Sequence, residues 1–223
     1  MPEATTPQTT ATAIPEPAPE PTPRTPEPTY RVRAHHTAST ITVHQAYSPL
    51  IGLPAARDGR FPDAWKRDRM TWIKPSFLWM MYRCGWGLKE GQETVLAVEI
   101  SREGFEWALR HACLSHYDAD VHADRAAWRR KLKRSPARVQ WDPERDVRLR
   151  PLPYRSLQLG LTGEAARRYA DEWIVSIRDV TPLARRIHGL VRGGELAAAE
   201  GLLPVETPYP AEADGELLGH LCP

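Results

Sequence analysis

Aromatic and cationic side chains are most concentrated in residues 65–86, which read WKRDRMTWIKPSFLWMMYRCGW. Aromatic faces suit stacking on a base or a nicotinamide ring, and neighbouring cations suit contacts with phosphates. In an extended segment, Arg69 and Thr71 project to one side and Trp72 and Lys74 to the other. These four residues are candidates for binding an anionic, ring-bearing ligand. The alternative is that the tryptophans fill a core and the cations cover its rim.

Carboxylates gather in residues 139–146, VQWDPERD, where we predict a turn at Pro143 after a strand. Carboxylates at the end of a strand can orient a ribose hydroxyl, activate a nucleophile or hold a metal ion. Glu144 is the candidate catalytic acid, because Asp142 is suited to capping the turn. Gln140 is a second catalytic candidate beside it. The alternative is that these side chains only solvate a turn.

Further polar side chains lie at the ends of predicted strands. Gln45 and Tyr47 end one strand, and Arg155 and Gln158 flank the start of another. Amide and guanidinium groups can hydrogen-bond a base edge or hold a phosphate, so all four are added to the binding candidates. The histidines, cysteine and aspartates of residues 111–122 match no established zinc spacing, and no metal site is predicted.

The elements that must position these side chains follow from hydrophobic periodicity. Alternation predicts strands at 30–34 and 41–45, joined by a turn near 37–39, and later strands at 139–141, 147–149 and 157–161. The β-branched run 94–100 predicts a strand, followed by a helix that Ser101 caps. Because strands and helices are interspersed without strict β-α-β alternation, we expect an α+β fold. Its mixed, mostly antiparallel sheet, for which a split form is allowed, should be flanked by helices.

Composition predicts one domain behind a tail. Residues 1–29 contain nine prolines and eight threonines and should be disordered, because they cannot bury enough apolar surface. We expect a single globular domain over 30–215 and a flexible C-terminus over 216–223. The formal charge is +2, and the four acids and one base of the tail leave about +5 for the remainder, which permits an anionic partner. Three scattered cysteines, no membrane-length apolar run and no signal segment favour the cytoplasm.

The chain resembles the family known as domain of unknown function 4291 over about residues 30–210. The resemblance is carried by several stretches: ITVHQAYSP, KRDRMTWIKPSFLWMMYRCGW, EISREGFEWAL, VQWDPERD, PYRSLQLGL and DEWIVSIRDVTPLARRIH. More remotely, it is similar to ADP-ribosyltransferases, which hold NAD in a cleft of a split mixed sheet. That similarity implies that Gln45 and Tyr47 contact the NAD ribose or ring. It also implies that Trp72 and Lys74 flank nicotinamide and phosphate, and that Glu144 is the acid.

Two functions are therefore expected. The first is an NAD-dependent, ADP-ribosyltransferase-like enzyme that acts on nucleic acid or protein, with NAD as its substrate. The alternative is a non-catalytic module that binds nucleotides or nucleic acid. Neither involves a membrane, and the sequence names no protein partner.

Overall fold

A computed structural model describes residues 29–210 and 217–223 of the chain. The predicted tail 1–29 therefore lies outside the described residues, except for its last position. The described part has an α+β fold in a single compact unit, as predicted. None of its helices combines the length and the apolar character that crossing a membrane requires.

The strands and helices alternate irregularly along the chain. The strands are β1 Arg33–Ala34, β2 Thr40–Tyr47, β3 Thr71–Ile73, β4 Thr94–Ser101, β5 Ala112–Leu114, β6 Ala137–Arg145, β7 Pro151–Leu161, β8 Ile174–Asp179 and β9 Thr207–Pro208. The helices are α1 Pro49–Asp58, α2 Phe77–Cys84, α3 Arg102–Arg110, α4 Arg125–Arg134, α5 Glu164–Arg168, α6 Thr181–Gly193 and α7 Leu196–Glu200, and a π-helical turn covers Tyr169–Trp173.

The strands form two main sheets. One has the order β2-β4-β8 and is antiparallel. The other has the order β3-β7-β6-β5, in which only the short β5 pairs in parallel. The two sheets meet where His44 of β2 forms an antiparallel bridge with Lys74, just after β3. The mixed, mostly antiparallel arrangement is thus confirmed, and it is divided into these two sheets and a short two-stranded sheet of β1 and β9.

Apolar side chains from both sheets form the larger core. Ile41 and Val98 of the first sheet belong to the same buried cluster as Ile73, Val139 and Leu159 of the second. A second cluster surrounds α2 and includes Phe77, Met80 and Met81, together with Val95 and Ile187. Because α2 is anchored in this second cluster, its outer face is held at a fixed position beside β2 and β3.

Several predictions about strand pairing and turns were wrong. The turn near 37–39 forms, but Arg33 and Ala34 pair with β9 rather than with the following strand. Pro143 makes no turn, because it lies within β6 at an irregularity in register, where a missing N–H is tolerated. The turn comes later, at residues 146–150, and it contains the residues 147–149 that were predicted to be a strand.

The segment 217–223, predicted to be flexible, packs against the core. Leu217, Leu218 and Leu221 are buried in the larger cluster. The indole N–H of Trp141 donates a hydrogen bond of 2.8 Å to the Leu221 carbonyl oxygen. The folded unit therefore includes this segment.

Candidate functional site

A cleft of about 410 Å³ opens beside the junction of the two sheets. The end of β2, strand β3 with the loop before it, and the outer face of α2 form its walls. Its lining residues are Gln45, Ala46, Tyr47, Ser48, Ile51, Ala64, Trp65, Lys66, Arg69, Met70, Thr71, Trp72, Lys74, Met80, Arg83, Gly91 and Gln92. Such a volume is typical of small-molecule sites.

A hydrogen-bond network fixes the polar wall of the cleft. The Gln45 amide nitrogen donates to the Tyr47 hydroxyl at 2.8 Å and to the Thr71 hydroxyl at 2.7 Å. The Trp65 indole donates to the Tyr47 hydroxyl at 3.0 Å, and Tyr169 donates to the Gln45 amide oxygen at 2.6 Å. Burial raises the pKa of Tyr47, so its hydroxyl stays protonated at neutral pH. The network holds amide and hydroxyl groups in place before any ligand arrives.

The charged side chains of the cleft are all cations. Lys66, Arg69 and Arg83 are exposed at its rim, and Lys74 is buried in its wall. No Asp or Glu is among the described lining residues. None of these four cations forms an ion pair within the described part of the chain. The charged groups of the described lining are thus all positive, which favours an anionic ligand.

Lys74 is the buried member of this set, with 7% of its surface exposed. Its ammonium nitrogen donates to the Trp72 carbonyl oxygen at 2.9 Å. Desolvation, together with the charge of Arg83, lowers the pKa of Lys74 to about 7. Cys84 of α2 and Asp142 of the second sheet raise the pKa of Lys74, but by less than these two causes lower it. Lys74 therefore exists in both protonation states near neutrality.

The indole of Trp72 lies over Gly160 of the adjacent strand β7. A Cβ at Gly160 would lie 3.0 Å from two carbons of the Trp72 ring and 3.0 Å from the Met70 sulfur. A side chain here would require the Trp72 ring or the Met70 sulfur to shift, because both approach the Gly160 backbone closely. This contact sets the orientation of Trp72 in the cleft wall.

Six of the eight binding candidates from the sequence line the cleft: Gln45, Tyr47, Arg69, Thr71, Trp72 and Lys74. Arg155 and Gln158 do not. Arg155 bridges Tyr30 through its backbone. Gln158 and the catalytic candidate Gln140 both donate to Asp142, at 2.6 and 3.1 Å, and so form a separate polar cluster on β6 and β7.

Glu144 also lies outside the cleft lining. It is buried, and one of its carboxylate oxygens accepts hydrogen bonds of 2.8 Å from the Ser76 hydroxyl and from the Arg145 backbone. Burial raises the pKa of Glu144, and these hydrogen bonds oppose that rise. Glu206, whose carboxylate accepts the Phe77 N–H at 2.7 Å, is its electrostatic neighbour. Glu144 therefore faces the start of α2 and supports that helix end.

Some site residues had no signal in the local sequence. Tyr169 contacts Gln45 across 124 positions, and Gln92 reaches the lining from the loop after α2. Met80 and Arg83 are three positions apart on α2, a spacing that places both on one helix face. That spacing could have added Arg83 to the candidates. In the described residues, no group of three or more His, Cys, Asp or Glu side chains is arranged to hold a metal ion.

A family model described as domain of unknown function (DUF4291) matches residues 31–209. No curated protein and no solved structure matches the chain. The match covers the cleft and both sheets.

Proposed function

Because the chain belongs to the DUF4291 family, whose description names no activity, we propose a function from the cleft itself: it binds a nucleotide, and as an ADP-ribosyltransferase-like enzyme it uses NAD as its substrate. The observation that carries the proposal is a cleft whose charged groups are all cations, beside an aromatic ring and a fixed polar network. A diphosphate, an aromatic base and ribose hydroxyls are the complementary ligand groups.

Each part of a dinucleotide has a candidate partner. The rim cations Lys66, Arg69 and Arg83 suit the diphosphate. Each guanidinium group can donate two parallel hydrogen bonds to two oxygens of one phosphate. The Trp72 indole suits stacking on nicotinamide. For the ribose, the resemblance to ADP-ribosyltransferases implies Gln45 and Tyr47, which would exchange hydrogen bonds of their internal network for bonds to the ribose hydroxyls.

The proposed reaction needs no redox chemistry. The bond between the ribose anomeric carbon and nicotinamide breaks, and nicotinamide leaves with the bonding electrons. A nucleophile of a nucleic acid or protein bonds to the same carbon and loses its proton to solvent or to a base. The positive charge of the nicotinamide ring makes it a good leaving group, so binding and orientation supply much of what is needed.

A second candidate is a nucleotide-binding module without chemistry. The absence of any carboxylate from the described lining favours it, because the acid proposed from the sequence, Glu144, is engaged with Ser76 instead. Both proposed functions involve the same ligand, but only the enzyme would convert it to product.

Binding is tested first, by thermal shift and calorimetry with NAD, ADP-ribose and AMP. A ligand that binds only the native state stabilises it by about 2.7 kcal/mol at one hundred times its Kd. We expect a rise in Tm with NAD and ADP-ribose, and an affinity at least about tenfold lower in the double variant Arg69→Ala/Arg83→Ala. The double variant Arg129→Ala/Arg130→Ala, which also removes two exposed charges, but from α4 outside the lining, is the matched control. No rise at millimolar ligand, with folded protein, would refute the proposal.

Turnover is tested next, by the release of nicotinamide from NAD with RNA, DNA or protein as acceptor. Release by the native chain, lost in Arg69→Ala/Arg83→Ala, supports the enzyme. Binding without release, together with affinity for oligonucleotides that falls steeply with salt, supports the module. Glu144→Gln should leave NAD affinity unchanged, because Glu144 is outside the lining.

A further inference from the structure

We propose that Lys74 is a nucleophilic amine that forms an imine with a phosphate-bearing aldehyde or ketone bound in the cleft. The inference goes beyond nucleotide binding, because it assigns covalent chemistry to a residue that the resemblance to ADP-ribosyltransferases places only beside nicotinamide and phosphate. It shares with the proposed function only the attraction of the cleft for phosphate.

The surroundings of Lys74 are unusual for a buried lysine. Buried ammonium groups are normally paired with a carboxylate, because an unpaired buried charge is costly. Lys74 has only 7% of its surface exposed, and among the described residues the one hydrogen-bond partner of its side-chain nitrogen is the neutral Trp72 carbonyl oxygen. No carboxylate is among the described residues of the lining. Within the described part of the chain, this amine at the cleft wall therefore has no carboxylate hydrogen-bonded to it.

The electrostatic environment adds to this arrangement. Arg83 of α2 repels the ammonium form, whereas Asp142 of β6 and Cys84 of α2 favour it weakly. A lysine that is desolvated and placed beside another cation is activated as a nucleophile, since the free amine carries the lone pair. With the pKa of Lys74 lowered to about 7, about half of the molecules carry the free amine at neutral pH. For an ordinary lysine at neutral pH, roughly one molecule in three thousand carries the free amine.

The ligand class follows from the neighbours of Lys74. Arg69, Arg83 and Lys66 supply cations for a phosphate, and Trp72 supplies an aromatic face. The amine nitrogen attacks the carbonyl carbon and forms a C–N bond, and the carbonyl π electrons move to oxygen. The carbinolamine then loses water, which carries away the oxygen and both amine hydrogens. The product is an imine, and no oxidant or reductant takes part.

Pyridoxal 5′-phosphate, an aldehyde that carries a phosphate, is the probe. The protein is incubated with it, reduced with borohydride to fix any imine as a secondary amine, digested and mapped by mass spectrometry. The chain has five lysines, so the modified site is identified without ambiguity. We expect modification at Lys74, at least tenfold weaker with pyridoxal, which lacks the phosphate.

Two variants and a pH series make the test decisive. Lys74→Arg keeps a cation but cannot form an imine, and should lose the modification, whereas the exposed Lys133→Arg should retain it. The rate of modification should be half-maximal near pH 7, as expected from the lowered pKa of Lys74. A label on the exposed lysines with Lys74 unmodified, or a rate that rises only near pH 10, would overturn the inference. Protection by ADP-ribose tests the nucleotide proposal separately: modification of Lys74 without protection supports the amine and counts against a nucleotide in this cleft.

Discussion

Replacing Lys74 with methionine should make the protein more stable at neutral and acidic pH. Methionine keeps the unbranched shape and removes the ammonium group from a wall position with 7% exposure. The pKa of Lys74 falls from 10.5 in water to about 7 in the folded chain. The unfolded chain therefore binds more protons between about pH 7 and 10.5, and native stability rises with pH in that window.

The size of the effect follows from that difference. At about 1.4 kcal/mol per pKa unit, the lowered pKa of Lys74 destabilises the native state by about 5 kcal/mol. This destabilisation is fully present below about pH 7. The lost hydrogen bond to the Trp72 carbonyl oxygen offsets about 1 kcal/mol. We expect Lys74→Met to raise the free energy of unfolding by about 2 to 4 kcal/mol at pH 6. The gain should shrink to near zero by pH 10.5.

Urea denaturation of the native chain and of Lys74→Met, from pH 6 to pH 10, measures this gap. Comparison at each pH cancels the titration of the groups that do not interact with Lys74. Lys133→Met, at an exposed position on α4, is the control and should change stability little at any pH. A variant that is less stable than the native chain at pH 6, or a gap that does not change with pH, would refute the assignment of a desolvated, unpaired ammonium.

Two other changes test the packing around the cleft and α2. Gly160→Ala should lower the free energy of unfolding by about 1 to 3 kcal/mol and weaken nucleotide binding, because the new Cβ meets the Trp72 ring and the Met70 sulfur at 3.0 Å. Gly189→Ala, where a Cβ meets nothing within 4 Å, is the control, and equal effects in the two would count against a tight Trp72 contact. Glu206→Gln keeps an acceptor for the Phe77 N–H and removes a carboxyl whose pKa burial raises to about 8. Between about pH 4.5 and 8 the Glu206 carboxyl ionises in the unfolded chain but not in the native one, so native stability should fall across that range. The Tm of Glu206→Gln relative to the native chain should therefore rise from about pH 4.5 to 8. A Tm difference that does not change with pH would contradict the raised pKa of Glu206.

The sequence alone predicted the elements whose hydrophobic pattern and capping residue lie within one segment. The β-branched run before Ser101 is β4, and the Ser101 hydroxyl accepts the Gly104 N–H at 3.2 Å, as an N-cap should. The candidates in residues 69–74 lie together in the cleft because they are neighbours in one strand and the loop before it. Spacing did not predict side-chain direction there, because Arg69 and Thr71 were expected on the opposite side from Trp72 and Lys74 and all four line the same cleft.

Pairing between distant segments could not be predicted from spacing. The three residues of β5 are too few to show a period, and their strand exists because β6 lies parallel to it. Pro143 was predicted to make a turn, but the pairing of β6 with β7 absorbs it as an irregularity in register. Glu144 lies outside the cleft lining and accepts a hydrogen bond from Ser76, the N-cap of α2, which is 68 positions away in the sequence. Chemistry within one segment was visible in the sequence, and the assembly of segments was not.

The backbone bridge between His44 and Lys74 has a mechanical consequence. The two residues exchange hydrogen bonds of 2.7 and 3.2 Å, and this short contact links strands that otherwise belong to separate sheets. Because Lys74 lines the cleft, any separation of the two sheets at this point would break both bonds and widen the cleft. We expect a molecule that touches β2 on one wall and α2 on the other to oppose that opening, and slower amide exchange at His44 and Lys74 would report it.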